Sequence, residues 1–178
     1  MLYTTYCDSP VGRLLLAADG QALTGAWIQG QKYFPALPPD AVQNGEAPVL
    51  KQAAQWLDRY FAGHRPAISE LPLAPAGSEF RQEVWKLLCE IPYGEVTTYG
   101  DIAKKIAARR GKSTMSSQAV GGAVGHNPIS VIIPCHRVVG TNGSLTGYAG
   151  GLQRKIQLLT LEGADMTRLF IPTKGTAL

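Results

Sequence analysis

The chain opens on short apolar runs interrupted at close intervals by turn-forming residues. Within residues 1–34, YTTYCDSPVG alternates and turns at Ser9, Pro10 and Gly12, RLLLAADG turns at Asp19 and Gly20, and ALTGAWI follows. Alternating runs bounded in this way predict an antiparallel sheet. The next stretch, YFPALPPDAVQNGEAP, is rich in Pro, Asn and Gly and reads as a loop. The pattern then changes period. PVLKQAAQWLDRYFAGHRP places Leu50, Ala53, Ala54, Leu57, Tyr60 and Phe61 at helical spacing, with Gly63 and Pro66 to stop it, so one helix is expected to cover the sheet. From Pro66 to Gly77 periodicity is lost among prolines and small residues, which reads as a connection between two domains, residues 1–76 and 77–178.

Helical spacing returns in the second part. GSEFRQEVWKLLCEIPYGEV opens with Ser78 as N-cap, carries Phe80, Val84, Leu87 and Leu88 on one face with Cys89 packing beside it, and ends at Pro92 and Gly94. A second helix, in TTYGDIAKKIAARRGK, is capped by Thr97 or Thr98 and runs into a basic loop, RRGK. The third, SSQAVGGAVGHN, is built of small residues and includes three glycines, each costing about 1 kcal/mol of helix propensity relative to Ala. Its backbone must therefore approach something closely, either a neighbouring helix or a narrow groove. Two helices joined by a turn, with an apolar strand at 129–133 to follow, suggest a helix-turn-helix or winged-helix unit. The class is α+β, in two domains.

Composition narrows the setting. A chain of 178 residues, 45% hydrophobic, buries a sizeable core, and no segment approaches the roughly 20 apolar residues of a membrane span. The start, MLYTTYCDSPVG, lacks the order of a signal peptide, and three cysteines without a CxxC pair fit a reducing compartment, so a cytoplasmic location is expected. Up to residue 76 there are 5 Lys and Arg against 6 Asp and Glu, and beyond it 12 against 7. A basic second part is compatible with a polyanion, though charge of this size does not require one.

The chemistry concentrates in ISVIIPCHRVVGTNG, residues 129–143. ISVII has the continuous apolar character of a buried strand, and Pro134 ends pairing because it has no N–H. Neighbours on an extended chain point to opposite sides, so Cys135 and His136 cooperate only through a bridging water or a bend after Pro134. A free thiol has a pKa of about 8.5, and a nearby imidazole is able to take its proton. Glu162 is a candidate to orient that imidazole, by residue type alone. Zinc is a poor alternative, since His64 and His126 form no ligand pattern with the rest. A structural Cys and a nucleophile both remain open from the residues themselves.

PCHRV at 134–138, with GHNP before it and GYAGG at 147–151 and LLTLEG after it, closely resembles the O6-alkylguanine-DNA alkyltransferases. The resemblance runs from FRQEVWKLL onward and extends, more weakly, to SPVG and YFAG in the first part. It implies a ribonuclease-H-like N-terminal domain, a winged-helix C-terminal domain, and DNA repair by irreversible, once-only transfer of an alkyl group from O6-alkylguanine, less readily O4-alkylthymine, to the protein's own cysteine. By the same resemblance Cys135 is the acceptor, His136 the base acting through a water, and Glu162 its support. Asn127 braces the site through backbone hydrogen bonds. Tyr99 turns the target nucleotide's phosphate and donates a proton to the leaving guanine, Tyr148 lines the base pocket, and the backbone of Val138 and Ala149 reads the base edge. Arg137 matches a structural Arg. The small-residue helix would lie in the minor groove. Gln118 stands where the family commonly has an Arg that fills the gap left by the flipped base. Arg109, Arg110 and Lys112 either replace that charge through phosphate contacts or form a solvated loop. No cofactor or metal is implied, and the expected partner of a monomeric, membrane-free protein is double-stranded DNA containing alkylated bases. Two rivals are a protein that binds alkylated DNA without repairing it and a cysteine hydrolase using Cys135, His136 and Glu162. Cys7 and the tail after Met166 have no assigned role.

Overall fold

A computed structural model describes residues 1–173. The chain divides into two compact units, one formed by Met1–Ala76 with Pro128–Ile132, the other by Gly77–Asn127 with the chain from Ile133 on.

In the first unit β1 (Tyr3–Cys7), β2 (Leu14–Ala18) and β3 (Leu23–Ile28) form an antiparallel meander in the order β3-β2-β1. Central β2, LLLAA, is buried along its whole length, which is why it reads as a continuous apolar run. The region expected to be a loop also holds a two-residue strand, β4 (Val42–Gln43), which pairs in parallel with β1. Helix α1 (Pro48–Phe61) starts with Pro at its first position, where the missing N–H leaves nothing unpaired, and packs on the sheet through Leu50, Ala53, Trp56, Leu57 and Tyr60. Trp56 belongs to the buried face, while Ala54 and Phe61 are only half-buried. The stretch after Pro66 is ordered: Ile68–Glu70 forms a 3-10 turn, Trp56 donates to the Ala67 carbonyl, and Leu73 bridges to Leu23 beside β3.

The expected strand at 129–133 is not formed. Ile129 makes one bridge to Ala26, after which Val131 adopts φ 71° and the N–H of Ile132 donates to Ser130 O at 2.8 Å. A γ-turn of this hand closes a three-residue loop and breaks extended pairing. The residues are apolar because they are buried, and burial does not distinguish a strand from a turn.

In the second unit α2 (Glu79–Cys89), α3 (Tyr99–Arg109) and α4 (Ser117–Gly125) pack on one another. Ser78, Thr98 and Ser116 cap them by accepting from the N–H of Arg81, Asp101 and Ala119, which settles the cap of α3 as Thr98. Trp85 of α2 donates its indole N–H to the Ala123 carbonyl of α4 at 2.8 Å. Two-residue strands β5 (Thr97–Thr98) and β6 (Val138–Val139) pair in parallel, and α5 (Leu152–Leu161) follows. A small core of Val139, Leu145 and Leu159 joins β6, the 140–149 loop and α5, with Met166 and Leu169 packed against it. Phe170 completes the brace by exchanging backbone hydrogen bonds with Gly143 and Leu145. The tail after Met166 thus begins as a 3-10 turn and a pairing segment, and its last part, 174–178, lies outside the described residues.

Candidate active site

Every residue named for the site lies in the second unit. Two successive turns set Cys135. Pro134 has φ −82° and ψ 66°, an inverse γ-turn, so the N–H of Cys135 donates to Ile133 O at 2.8 Å. The same carbonyl accepts from Nδ2 of buried Asn127 at 2.8 Å. Cys135–Arg137 then form one turn of 3-10 helix leading into β6. Cys135 and His136 therefore sit on a tight turn and not on an extended chain.

His136 is fully buried, and its Nε2 lies 2.7 Å from Oε2 of Glu162. An ionised carboxylate only accepts, so Nε2 carries the proton and donates, leaving Nδ1 as an acceptor. Nδ1 has no hydrogen-bond partner among the described residues. Burial lowers the pKa of His136 more than Glu162 raises it, which keeps the imidazole neutral at neutral pH. Burial works on Glu162 in the opposite sense and raises its pKa. Hydrogen bonds from His136 and Arg137 more than reverse this and hold the carboxylate ionised well below its usual range.

Glu162 is the C-cap residue of α5, an end of the helix that disfavours negative charge. It is kept there by Gly163, whose φ of 73° lets the chain turn back so that Ala164 N–H donates to Leu159 O. Its charge is met by Arg137, which donates Nε to Oε1 at 2.7 Å and Nη2 to Oε2 at 3.0 Å, the two-point geometry that suits a guanidinium. Arg137 gives its remaining arm to Ile91 O, and the N–H of Gly94 donates to Oε1 of Glu162 at 3.1 Å.

Burial raises the Cys135 thiol above its ordinary value, and a hydrogen bond from Asn127, the charge of Lys155 and the N–H groups of Cys135 and His136 only partly offset it. Cys135 as a whole residue is 4% exposed. Tyr148 packs edge-on to His136 at 6.5 Å, and its buried hydroxyl has no partner among the described residues. Tyr99, the first residue of α3, donates its hydroxyl to Thr146 O at 2.9 Å. Burial holds that hydroxyl protonated, with the charge of Cys135 acting in the same direction.

Beside these groups a cavity of about 500 Å³ is lined by Tyr99, Ser117, Gln118, Gly121, Thr146 and Gly147, among others. Tyr99 and Gln118 share its wall, and Tyr99 lies within the field of Cys135. Cys135, buried Val138 and half-buried Ala149 are not on it. The glycines of α4 are not explained by helix packing: a Cβ built on Gly122 or Gly125 meets nothing within 4 Å, and one on Gly121 only just reaches Tyr99. They leave a bare strip of backbone beside exposed Gln118.

Two readings of basic residues change. RRGK does not begin a loop, since Arg109 ends α3 and Arg110 caps it. Both are held by carboxylates of the preceding helix region, Arg110 on Glu83 at 2.8 Å and Arg109 near Glu90 at 3.7 Å, which leaves Lys112 to line a separate groove with Lys104. Lys155, which has no counterpart among the expected site residues, is fully buried next to Cys135. The signal for it was present in GLQRKIQLLTLEG, where Lys155, Leu158 and Glu162 fall on one helical face.

A thiol, a neutral imidazole whose Nδ1 has no partner among the described residues, and an ionised carboxylate stand together on a helix-turn-helix unit, the set of groups that a nucleophilic cysteine requires. The chain belongs to the 6-O-methylguanine DNA methyltransferase family, matching its DNA-binding domain over residues 79–164 and its ribonuclease-like domain over residues 1–75. It is 45% identical over 161 residues to the methylated-DNA–protein-cysteine methyltransferase of Haemophilus influenzae, covering 90% of this chain and 86% of that one. Among solved structures it is similar to the O6-methylguanine methyltransferase of Mycobacterium tuberculosis, with 41% identity, a TM-score of 0.79, and coverage of 98% of this chain and 97% of that one. The same relative in complex with DNA matches with a TM-score of 0.78 and 41% identity over 91% of this chain and 92% of that one.

Proposed function

We propose that this protein repairs double-stranded DNA by direct reversal, moving an alkyl group from O6 of guanine, and less readily O4 of thymine, onto Sγ of Cys135 once per molecule. The observation that carries the reading is the open Nδ1 of a neutral, carboxylate-anchored His136 on the same turn as Cys135. In the reaction the thiol proton passes to Nδ1 through a bridging water. The sulfur anion attacks the alkyl carbon, the carbon–O6 bond breaks, and its electron pair stays on guanine. Tyr99 protonates the leaving base and regains its proton from the His136 imidazolium through solvent, so that the products are neutral guanine and a thioether.

A base stacked in a duplex is out of reach of Cys135, a buried residue, so the nucleotide must be turned out, at a few kcal/mol of unstacking. Tyr99 gives up its bond to Thr146 O as the base enters, and Tyr148 offers a polar atom of the base a buried hydroxyl that has no partner among the described residues. The backbone of Val138 and Ala149 reads the base edge, Asn127 holds the turn, and Gln118 occupies the vacated stack. The bare glycine strip of α4 supports close approach to a groove. No helix of the described residues is long and apolar enough to cross a membrane. A DNA substrate and free cysteines favour work in the cytoplasm.

Intact-protein mass after incubation with a duplex carrying O6-methylguanine is expected to rise by one methyl group, mapped to Cys135, with no second addition. Cys135→Ala should keep DNA affinity and gain nothing. An unchanged wild-type mass with DNA bound would make the protein a reader of the lesion, and continued turnover would make it a hydrolase or true catalyst.

A further inference from the structure

The chain beyond α5 supplies no group to the site, yet it is tied to the loop that forms one side of it. Asp165 caps a 3-10 turn, Met166–Arg168, by accepting from the N–H of Thr167 at 3.0 Å and from its Oγ1 at 2.6 Å. Met166 and Leu169 lie against the small core of Val139, Leu145 and Leu159, which anchors the turn by apolar contact. Phe170 then pairs with the loop, donating its N–H to Gly143 O at 3.0 Å and accepting from the N–H of Leu145 at 2.9 Å. The two backbones approach so closely that a Cβ on Gly143, at φ 94°, would run into the Arg168 carbonyl oxygen. The Phe170 side chain is exposed, so the pairing is made by backbone.

The loop held in this way carries the pocket. Leu145 is followed directly by Thr146, whose carbonyl accepts from the Tyr99 hydroxyl at 2.9 Å, and by Gly147, which lines the cavity with Thr146. Tyr148, edge-on to His136, comes next. Upstream the loop is closed only on itself, with Gly140 N–H on Ser144 O at 2.8 Å and Gly143 N–H on Gly140 O at 2.9 Å. From Leu145 to Gly147, its hydrogen bonds to other elements among the described residues are the Phe170 pairing and the bonds that Thr146 O accepts from Tyr99 and, at 2.8 Å, from Lys155 Nζ. In the proposed reaction Tyr99 leaves that carbonyl as the base enters. The Phe170 pairing, one residue away, is not touched by that change.

We infer that residues 165–170 are a strap that positions the base pocket for alkyl transfer, holding Gly143 and Leu145 so that Thr146 and Tyr148 keep their places once the Tyr99 bond is released. The inference rests on the pocket loop receiving a turned-out base in the proposed reaction. No residue of the strap lines the cavity, and Phe170 acts through the loop as a positioning residue.

Phe170→Pro removes the N–H that holds Gly143 O, and Leu169, at φ −106° and ψ 146°, already has the extended backbone that a following proline favours. Phe170→Leu keeps that N–H and alters only an exposed ring. In the full-length protein, single-turnover methyl transfer from a duplex carrying O6-methylguanine is expected to fall about tenfold in Phe170→Pro and to stay at the wild-type rate in Phe170→Leu. The Kd for undamaged duplex should remain within about twofold in both. Amide hydrogen exchange should quicken across residues 140–149 in the proline variant alone, with α2, α3 and α4 unchanged. Transfer by Phe170→Pro at the wild-type rate overturns the inference, and so does equal slowing of both variants, which would place the effect in the ring. An affinity loss that matches the rate loss would make the strap a DNA contact and overturn its positioning role. Should the proline variant fail to fold, Cys135→Ala bound to the same lesion-bearing duplex decides. Its Leu145 amide must stay as protected as in the free protein, and release on binding sinks the inference. A wild type that transfers nothing, with the loop still loosened by Phe170→Pro, would overturn the reaction and not the strap's hold on the loop.

Discussion

Gln118 is the residue at which this chain departs from the expected family pattern, and it stands exposed on the cavity wall at the first turn of α4. It has the length and polarity to enter a base stack but brings no charge to the phosphates around it. Gln118→Arg should therefore bind duplex DNA more tightly at low salt and steepen the dependence of log K on log salt by about 0.9 if one counterion is released. Fluorescence anisotropy at several salt concentrations measures this, and an unchanged slope would mean that position 118 does not approach a phosphate. At this scale the sequence was legible where chemistry is carried by type and neighbourhood. The Pro-Cys-His order alone raised a nucleophile and a base. At Lys155 the helical face shared with Leu158 and Glu162 is the one signal, and it is outweighed because lysine is a surface residue by default and its burial depends on carbonyls contributed by two other segments.

Caps and periodicity made the helices readable: Ser78 and Thr98, the second from the pair Thr97 or Thr98, each bond the N–H that their type suggests. Turns inside apolar runs were not, and residues 129–133 illustrate why. A γ-turn at Val131 is as buried as a strand and uses the same β-branched residues, so hydrophobicity carries no information about which forms, whereas the turn at Pro134 falls where that proline was expected to end pairing. The α4 glycines were ambiguous for a different reason, since close packing and an open strip have the same composition. The structure assigns them to open space, and that makes opposite effects testable in one variant. Gly122→Ala should stabilise the free protein by up to about 1 kcal/mol through helix propensity, because its methyl group meets nothing within 4 Å. The same methyl should weaken duplex binding if α4 enters a groove. Chemical denaturation and anisotropy together check both signs, and a variant that is more stable with unaltered affinity would remove α4 from the DNA interface.

For the molecule as a whole, the buried His136–Glu162–Arg137 group ties folding to pH. The carboxylate of Glu162 is held below its ordinary value of 4.5, so the stability it supplies is complete above that pH and is lost as pH falls further. His136 is held below its ordinary 6.5, so the unfolded chain takes up protons that the fold refuses, and stability declines below that pH as well. Unfolding midpoints measured from neutral pH to about pH 3 should fall in both windows. Glu162→Gln should be destabilised at neutral pH, with the gap to wild type narrowing below 4.5. A gap of constant size down to about pH 3 would show that Glu162 is not ionised in the fold. The α+β class and the connection near residue 76 could be proposed from composition and period. The assembly of the site could not, because Asn127, Cys135, Tyr148 and Glu162 come from separate segments whose meeting is a matter of tertiary packing.

Gly94 shows how far from the sulfur such an assembly is exposed to damage. Its φ is 81°, and a methyl group there would come within 2.8 Å of the Glu162 carbonyl oxygen while its own N–H holds the carboxylate. An inherited change at this unremarkable bend would press on the end of α5, loosen the anchor of the imidazole and leave the cysteine present but idle. A cell carrying it would make a repair protein of normal sequence at every reactive position and still accumulate lesions.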